Sequence, residues 1–325
     1  MKDPLIRYRA LIDNEIETLS LKAKPPNLYE PIRYILQLGG KRFRPVLTLL
    51  SHLLFEDAVE KAVLPAIGIE VFHNFTLMHD DIMDKAPLRR GKTTVHARWN
   101  DETAILAGDV MLVKAYELIA QVEDSLLKKV LHTFNNCATG VCEGQQIDMD
   151  FESMNEVSET AYLGMIRLKT AVLIGFSMEL GAIIAGADTE QISLVRSFGE
   201  NLGMVFQLKD DILDVFGDHE KFGKQVGGDI ITNKKTFLWI KACKVSNPAQ
   251  KKALIHWFSM KAFDPEEKIA AITQIYNDLN IRSVSEQKMN AYIRSAFVAL
   301  DSLNVSESVK HPLVNFTQKL IDREK

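Results

Sequence analysis

The sequence predicts an all-α fold, one large helical bundle occupying residues 1–325 as a single domain. Three observations carry this. Apolar residues recur at i, i+3 and i+4 spacing almost throughout the chain. No run of β-branched alternation and no hairpin signal interrupts them. Punctuation is local, and no linker rich in Pro, Gly or Ser divides the chain.

Residues 4–22 read as an amphipathic helix ended by Lys24-Pro25-Pro26. Helical periodicity then covers 44–55, 58–85, 102–121, 124–150, 158–186, 189–216, 234–245, 248–260, 265–278 and 284–303. Turns are marked by Gly39-Gly40, Arg90-Gly91-Lys92, Gly217, Gly227-Gly228 and Asn247-Pro248. The outcome is a bundle of about ten core helices.

Of the 325 residues, 46% are hydrophobic and 25% charged, the composition of an ordinary soluble protein. A net charge of −4 argues against a general nucleic-acid binder. The cysteines Cys137, Cys142 and Cys243 are odd in number and form no CxxC. That usage fits a reduced, cytoplasmic setting. The first residues carry charges throughout, so no signal peptide is expected. Thr170 to Ala187 holds a single charge, Glu179, and is expected to be a buried helix, not a membrane span.

Two acidic clusters stand out. Asp80-Asp81-Ile82-Met83-Asp84 ends one apolar helix, and Asp210-Asp211-Ile212-Leu213-Asp214 lies in another. In each, the first and last Asp share a helix face, about 6 Å apart along the axis. Without a cation such a pair repels itself. Asp is also a mediocre helix former and is disfavoured near a helix C-terminus. A divalent cation supplies the reason: Mg²⁺ takes oxygen ligands and keeps sites for water or phosphate oxygens. The side chains offer no sulfur and little imidazole, which disfavours zinc and copper. Asp81 and Asp211 point about 100° away from their neighbours and are weaker ligand candidates.

Basic residues gather in separate short segments beside these clusters. Gly39-Gly40-Lys41-Arg42-Phe43-Arg44-Pro45 lies at a helix start, where backbone N–H groups favour anions. Arg89-Arg90-Gly91-Lys92 follows the first cluster, Lys169-Thr170 opens the long apolar helix, and Lys224 and Lys234-Lys235 follow the second cluster. Arginine suits bidentate contact with phosphate, and lysine acts as a point charge.

Taken together, these segments resemble the trans-isoprenyl (polyprenyl) diphosphate synthases. The matching pieces are GGKRFRP (39–45), HNFTLMHDDIMDKAPLRRGKTTVH (73–96), GDVML (108–112), EGQQIDM (143–149), LKTA (168–171), FQLKDDILDVFGD (206–218), and GKQVGGDI with the following NKKT (223–236). They occur in family order. The resemblance implies an all-α isoprenoid synthase fold around a central active-site cavity, and a homodimer. It implies that Asp80, Asp84 and Asp210 contact Mg²⁺, three ions in all, with Asp214 helping through water. Lys41, Arg44, His73 and Arg90 match positions that hold isopentenyl diphosphate. Arg89, Lys169, Lys224 and Lys234 match those that hold the allylic diphosphate. Thr170 and Gln207 match groups near the allylic carbons.

The implied chemistry is ionisation, condensation and elimination. The expected product is short, because DDIMD carries no two-residue insertion. Phe75 and Thr76 lie one turn before Asp80 and face the same way; the resemblance implies that a bulky aromatic there acts as a floor to the growing tail. Geranylgeranyl diphosphate is favoured, with farnesyl diphosphate as the alternative. A terpene cyclase normally replaces the second cluster, and a non-catalytic prenyl diphosphate-binding subunit would be expected to lose an Asp cluster or a basic element. Here all are present.

Overall fold

A computed structural model describes residues 4–217 and 227–322. Among the described residues the regular elements are helices, apart from one hairpin of two two-residue strands. In chain order the helices are α1 (Pro4–Glu17), α2 (Pro26–Gln37), α3 (Phe43–His52), α4 (Glu60–Met83), α5 (Val95–Arg98), α6 (Asp101–Ile119), α7 (Asp124–Ser153), α8 (Glu159–Ile166), α9 (Val172–Ile184), α10 (Thr189–Phe216), α11 (Gly228–Ile231), α12 (Phe237–Val245), α13 (Pro248–Ser259), α14 (Pro265–Asp278), α15 (Ile281–Asp301) and α16 (Glu307–Ile321).

The helix starts obey local chemistry. Asn100 accepts a hydrogen bond from the Thr103 N–H ahead of α6, with Asp101 and Glu102 in the first turn. Ser158 caps α8, Asp264 caps α14, and Asn247 with Gln250 forms a capping box on α13.

Several boundaries differ from the sequence expectation. The first helix ends at Glu17, not residue 22, and Pro26 opens α2 instead of merely ending α1. No helix was expected over 26–37. The segment expected as one helix over 158–186 is broken by a π-helical turn, Arg167–Ala171, between α8 and α9. The expected absence of hairpins is also corrected. Strands β1 (Leu88–Arg89) and β2 (Lys92–Thr93) pair antiparallel. Arg90 and Gly91 between them both take positive φ, 53° and 73°. That is the geometry of a tight hairpin turn, with Gly at the second position.

The chain forms two compact units, each built from separate stretches. One holds the segments up to Asn135, Phe176–Arg196 and Leu303–Phe316; the other holds Asn136–Gly175, Ser197–Ser302 and Thr317 onward. In the first unit, α4 packs along α6, and α3 packs on α4. Phe72, Phe134 and Phe176 form a chain of ring contacts at its centre, 5.1 and 5.5 Å between centroids. Ser51 Oγ donates to the Met178 carbonyl at 2.6 Å, satisfying a fully buried hydroxyl.

The second unit is centred on a cluster that includes Phe151, Met165, Met204, Leu208, Ile212, Trp239 and Tyr276. The Trp239 and Phe258 rings stack at 3.4 Å. Glu159 ties α8 to α12 and α15 by accepting from Lys241 at 2.6 Å and Lys288 at 3.0 Å. Among the described residues no helix is long and apolar enough to cross a membrane.

Candidate active site

In the first unit the glycine turn at 39–40, α3, α4 and the hairpin bring the expected cations together. Arg44 Nη1 donates to His73 Nε2 at 3.0 Å. Arg90, on the hairpin turn, donates to the Gly39 carbonyl, and its guanidinium would be about 3.0 Å from a Cβ at Gly40. Gly40 has φ of +149° and must stay a glycine to admit that approach. Lys41 lies over the Phe43 ring at 5.7 Å. Burial, then the charges of Arg44, Arg90, Arg89 and Arg42, hold the His73 imidazole well below its ordinary range. It is therefore a neutral acceptor for Arg44, which fixes one guanidinium face.

Arg42 behaves differently from its neighbours in KRFR. It takes φ of 51° at the start of α3 and is buried. It donates to Glu70 Oε1 at 2.8 Å, Asp13 Oδ1 at 2.9 Å and the Leu36 carbonyl at 2.8 Å. Arg42 is thus a buried clamp, and the turn it holds presents Lys41 and Arg44.

The first Asp cluster closes α4. Asp84 is its C-cap, with Asp84 N–H donating to the Asp80 carbonyl. Asp81, the weaker ligand candidate, is 3% exposed and receives Arg89 Nε and Nη2 at 2.7–2.9 Å. Arg89 Nη2 also stands 3.7 Å from Asp80 Oδ2. Asp81 therefore aims Arg89 at the cluster. Phe75, one turn below, packs against Phe72 at 5.6 Å and His79 at 4.8 Å, and Thr76 Oγ1 donates to the His73 carbonyl.

In the second unit a pocket of about 640 Å³, open solvent included, is lined by Lys169, Thr170, Gln207 and Lys234, all expected from sequence. It is also lined by Asp211, the weaker ligand candidate of the second cluster, and by Asp148, Tyr162 and Asp229, to which no role was given. Lys169 Nζ donates to Asp148 Oδ2 at 2.6 Å. Thr170 Oγ1 donates to Gln207 Oε1 at 3.1 Å, Gln207 Nε2 donates to Asp211 Oδ1 at 3.0 Å, and Tyr162 Oη donates to Asp211 Oδ2 at 2.5 Å. The Thr170 proton is committed to Gln207, so its oxygen lone pairs are left for another partner.

Lys169 and Thr170 sit in the π-helical turn, where the backbone bulges toward two glycines. A Cβ at Gly144 would lie 2.2 Å from the Lys169 nitrogen, and one at Gly203 2.4 Å from the Ala171 Cα. Only glycine fits at either point. Such turns widen a helix locally and re-aim its side chains.

Asp214, expected to assist a metal, accepts from the Asp229 N–H at 3.0 Å and so anchors the first turn of α11. Lys235 is spent on the Phe151 and Glu152 carbonyls. Burial and neighbouring Asp229 push Asp211 up to about 8, opposed by the Tyr162 and Gln207 hydrogen bonds. Carboxylates that burden one another in this way are relieved by cations. The donor set is oxygen only, which fits Mg²⁺. Among the described residues no group of three or more acidic, His or Cys side chains gathers to form a metal cage alone. Water and diphosphate oxygens would complete such a shell. Lys224 lies outside the described residues.

Comparisons with known proteins agree with this geometry. The Polyprenyl synthetase family profile matches residues 25–277. A short chain isoprenyl diphosphate synthase of Methanocaldococcus jannaschii is 39% identical over 80% of this chain and 79% of its own. A geranylfarnesyl diphosphate synthase of Natronomonas pharaonis is 37% identical over 74% and 76%. A crystal structure of a geranylgeranyl pyrophosphate synthase superposes with a TM-score of 0.94 at 41% identity, covering 99% of both chains. A polyprenyl synthase of Caulobacter crescentus, solved with calcium and isoprenyl diphosphate, matches with a TM-score of 0.89 at 26% identity over 99% and 98%. The chain belongs to the polyprenyl synthetase family, with the isoprenoid synthase fold, and is a prenyltransferase of the short-chain isoprenyl diphosphate synthase type.

Proposed function

We propose that the enzyme condenses isopentenyl diphosphate with an allylic diphosphate (dimethylallyl, geranyl or farnesyl) and releases geranylgeranyl diphosphate. The observation that carries this is the pocket in the second unit. It combines three lysines, Lys169, Lys234 and Lys235, the last of which donates to backbone carbonyls, with crowded carboxylates and two neutral oxygen groups, Thr170 and Gln207.

In this reading Lys169, Lys234, Lys224 and Arg89 hold the allylic diphosphate, and Lys41, Arg44, His73 and Arg90 hold isopentenyl diphosphate. Asp80, Asp84 and Asp210 would hold Mg²⁺, with Asp214 assisting. When bound, the ions neutralise charge developing on the leaving group. The allylic C–O bond breaks and pyrophosphate departs with the electron pair. The Thr170 and Gln207 oxygens and the Lys169 carbonyl face the resulting cation. The double bond of isopentenyl diphosphate attacks it, forming the new C–C bond. The released pyrophosphate takes the proton whose loss restores a double bond. Apolar walls keep out water that would quench the cation.

Relatives named for twenty- and twenty-five-carbon products both match, so family membership leaves product length to the pocket floor. Phe75 is that floor, supported by its packing against Phe72 and His79. Homodimer formation is supported by Ile105, Leu106 and Val113, which leave 44%, 58% and 59% of their surface exposed along α6. A cytoplasmic setting is supported by three free cysteines.

Incubating the protein with labelled isopentenyl diphosphate, each allylic primer and Mg²⁺, then sizing the product, tests the reading. A twenty-carbon diphosphate supports it. A fifteen-carbon end product moves the floor upward. A cyclic hydrocarbon, or no turnover, overturns it.

A further inference from the structure

Helix α14 turns the face carrying Lys268, Ile272 and Tyr276 inward, at i, i+4 and i+8. Ile272 and Tyr276 are ordinary core residues. Lys268 is not, because its side chain is 0% exposed while its neighbours Glu266 and Glu267 face solvent. Among the described residues no carboxylate pairs with it, and burial alone lowers its pKa. A buried ammonium of this kind costs stability that an apolar residue at the same position would not.

Its surroundings indicate what the charge does. Nζ donates to Asn233 Oδ1 at 2.5 Å, and the ammonium lies 4.1 Å from the Phe263 ring and 5.3 Å from the Phe258 ring. Asn233 is a left-handed residue, φ 58°, at the end of α11. Its N–H donates to the Ile230 carbonyl, and the next N–H, of Lys234, donates to the Asp229 carbonyl. This turn fixes the direction in which the chain leaves α11, and both Asn233 and Lys234 line the pocket. α14 also braces the start of the same segment, since Ile269 abuts Gly227.

We infer that Lys268 is a positioning residue for the allylic diphosphate. It clamps Asn233 in the left-handed turn that aims Lys234, while the aromatic rings shield the clamp from water. The inference rests on the reading that Lys234 holds that diphosphate.

The test uses the full-length enzyme with Lys268→Met, Lys268→Arg, Asn233→Gly, Lys234→Met and the Lys268→Met/Lys234→Met double variant. Steady-state KM values for the allylic and isopentenyl substrates are read beside the melting temperature. Lys268→Met is expected to raise the allylic KM about tenfold, with the isopentenyl KM within about twofold and melting unchanged or higher. Lys268→Arg should recover part of the loss. Asn233→Gly keeps the turn's φ but removes the acceptor, and should reproduce the Lys268→Met defect. The double variant should be no worse than Lys234→Met alone. An unchanged allylic KM in Lys268→Met overturns the inference, as does a rise in both KM values with a lowered melting temperature. If Lys268→Met does not fold, Asn233→Gly alone decides by the same criteria. An unchanged allylic KM in Lys234→Met refutes instead the diphosphate role of Lys234.

Discussion

Tyr162 Oη donates to Asp211 Oδ2 at 2.5 Å, and Asp211 in turn orients Gln207. Burial and Asp211 hold the tyrosine hydroxyl well above its ordinary range, so it remains a donor. The chain runs on to Thr170, where it ends in lone pairs available to a cation. Tyr162→Phe keeps the ring and removes only the first donor. It should lower kcat about tenfold, about 1.4 kcal/mol, with both KM values little changed. A kcat within twofold of wild type would show that the network does not reach the reacting carbons.

The π-helical turn makes a steric prediction. Gly144→Ala places a methyl 2.2 Å from the Lys169 nitrogen, where backbone must yield. We expect a loss of about 1–3 kcal/mol in urea unfolding and at least a tenfold loss in kcat/KM as Lys169 is displaced. Gly164→Ala, in α8 with nothing within 4 Å of the added carbon, is the control and should be neutral or slightly stabilising.

Arg42 should matter for stability more than for chemistry. Its guanidinium satisfies Glu70, Asp13 and the Leu36 carbonyl within the first unit. Arg42→Ala removes the charged partner of buried Glu70, leaving it the Asn74 amide at 3.3 Å, and should cost about 3–5 kcal/mol in urea unfolding. A loss under about 1 kcal/mol would mean that Glu70 finds other partners.

His73 gives the pH dependence its sign. Its folded pKa lies well below the ordinary value of about 6.5 expected in the unfolded chain. Well above pH 6.5 neither state is protonated and stability is unaffected. As pH falls below 6.5, the unfolded chain binds a proton that the folded one refuses, and stability drops. Melting temperatures at pH 7.5 and 5.5 should therefore fall further for wild type than for His73→Gln. Equal falls would remove His73 from the account.

Phe75→Ala should lengthen the product by at least one five-carbon unit, read by chromatography of the dephosphorylated alcohols. An unchanged product would place the floor elsewhere.

The sequence made the two Asp clusters legible because their chemistry conflicts with the apolar helices that carry them. Most helices were legible from periodicity, although their ends moved by a few residues. The π-helical turn was hidden because one inserted backbone residue leaves the apolar pattern of 158–186 unbroken. The hairpin at Leu88–Thr93 was hidden because two-residue strands have no periodicity, and only the Gly91 turn hinted at it. Tertiary pairing decided the rest. Nothing local distinguishes Arg42, a clamp, from Lys41 and Arg44. Asp148 looks like one more surface acid on a long helix until Lys169 is seen beside it. Lys268 reads as a solvated charge unless the inward phase of Ile272 and Tyr276 is extended back one turn. Asp81 and Asp211, ranked as weaker ligands for the direction they point, orient Arg89 and Gln207.

The central claim is that the two Asp clusters serve a magnesium-dependent condensation. The direct measurement is turnover of Asp80→Ala and Asp210→Ala, assayed with isopentenyl diphosphate, a farnesyl primer and Mg²⁺, with folding checked by circular dichroism. The account predicts at least a ~100-fold loss in each, about 2.7 kcal/mol, in folded protein. Near-wild-type turnover in either variant would contradict it.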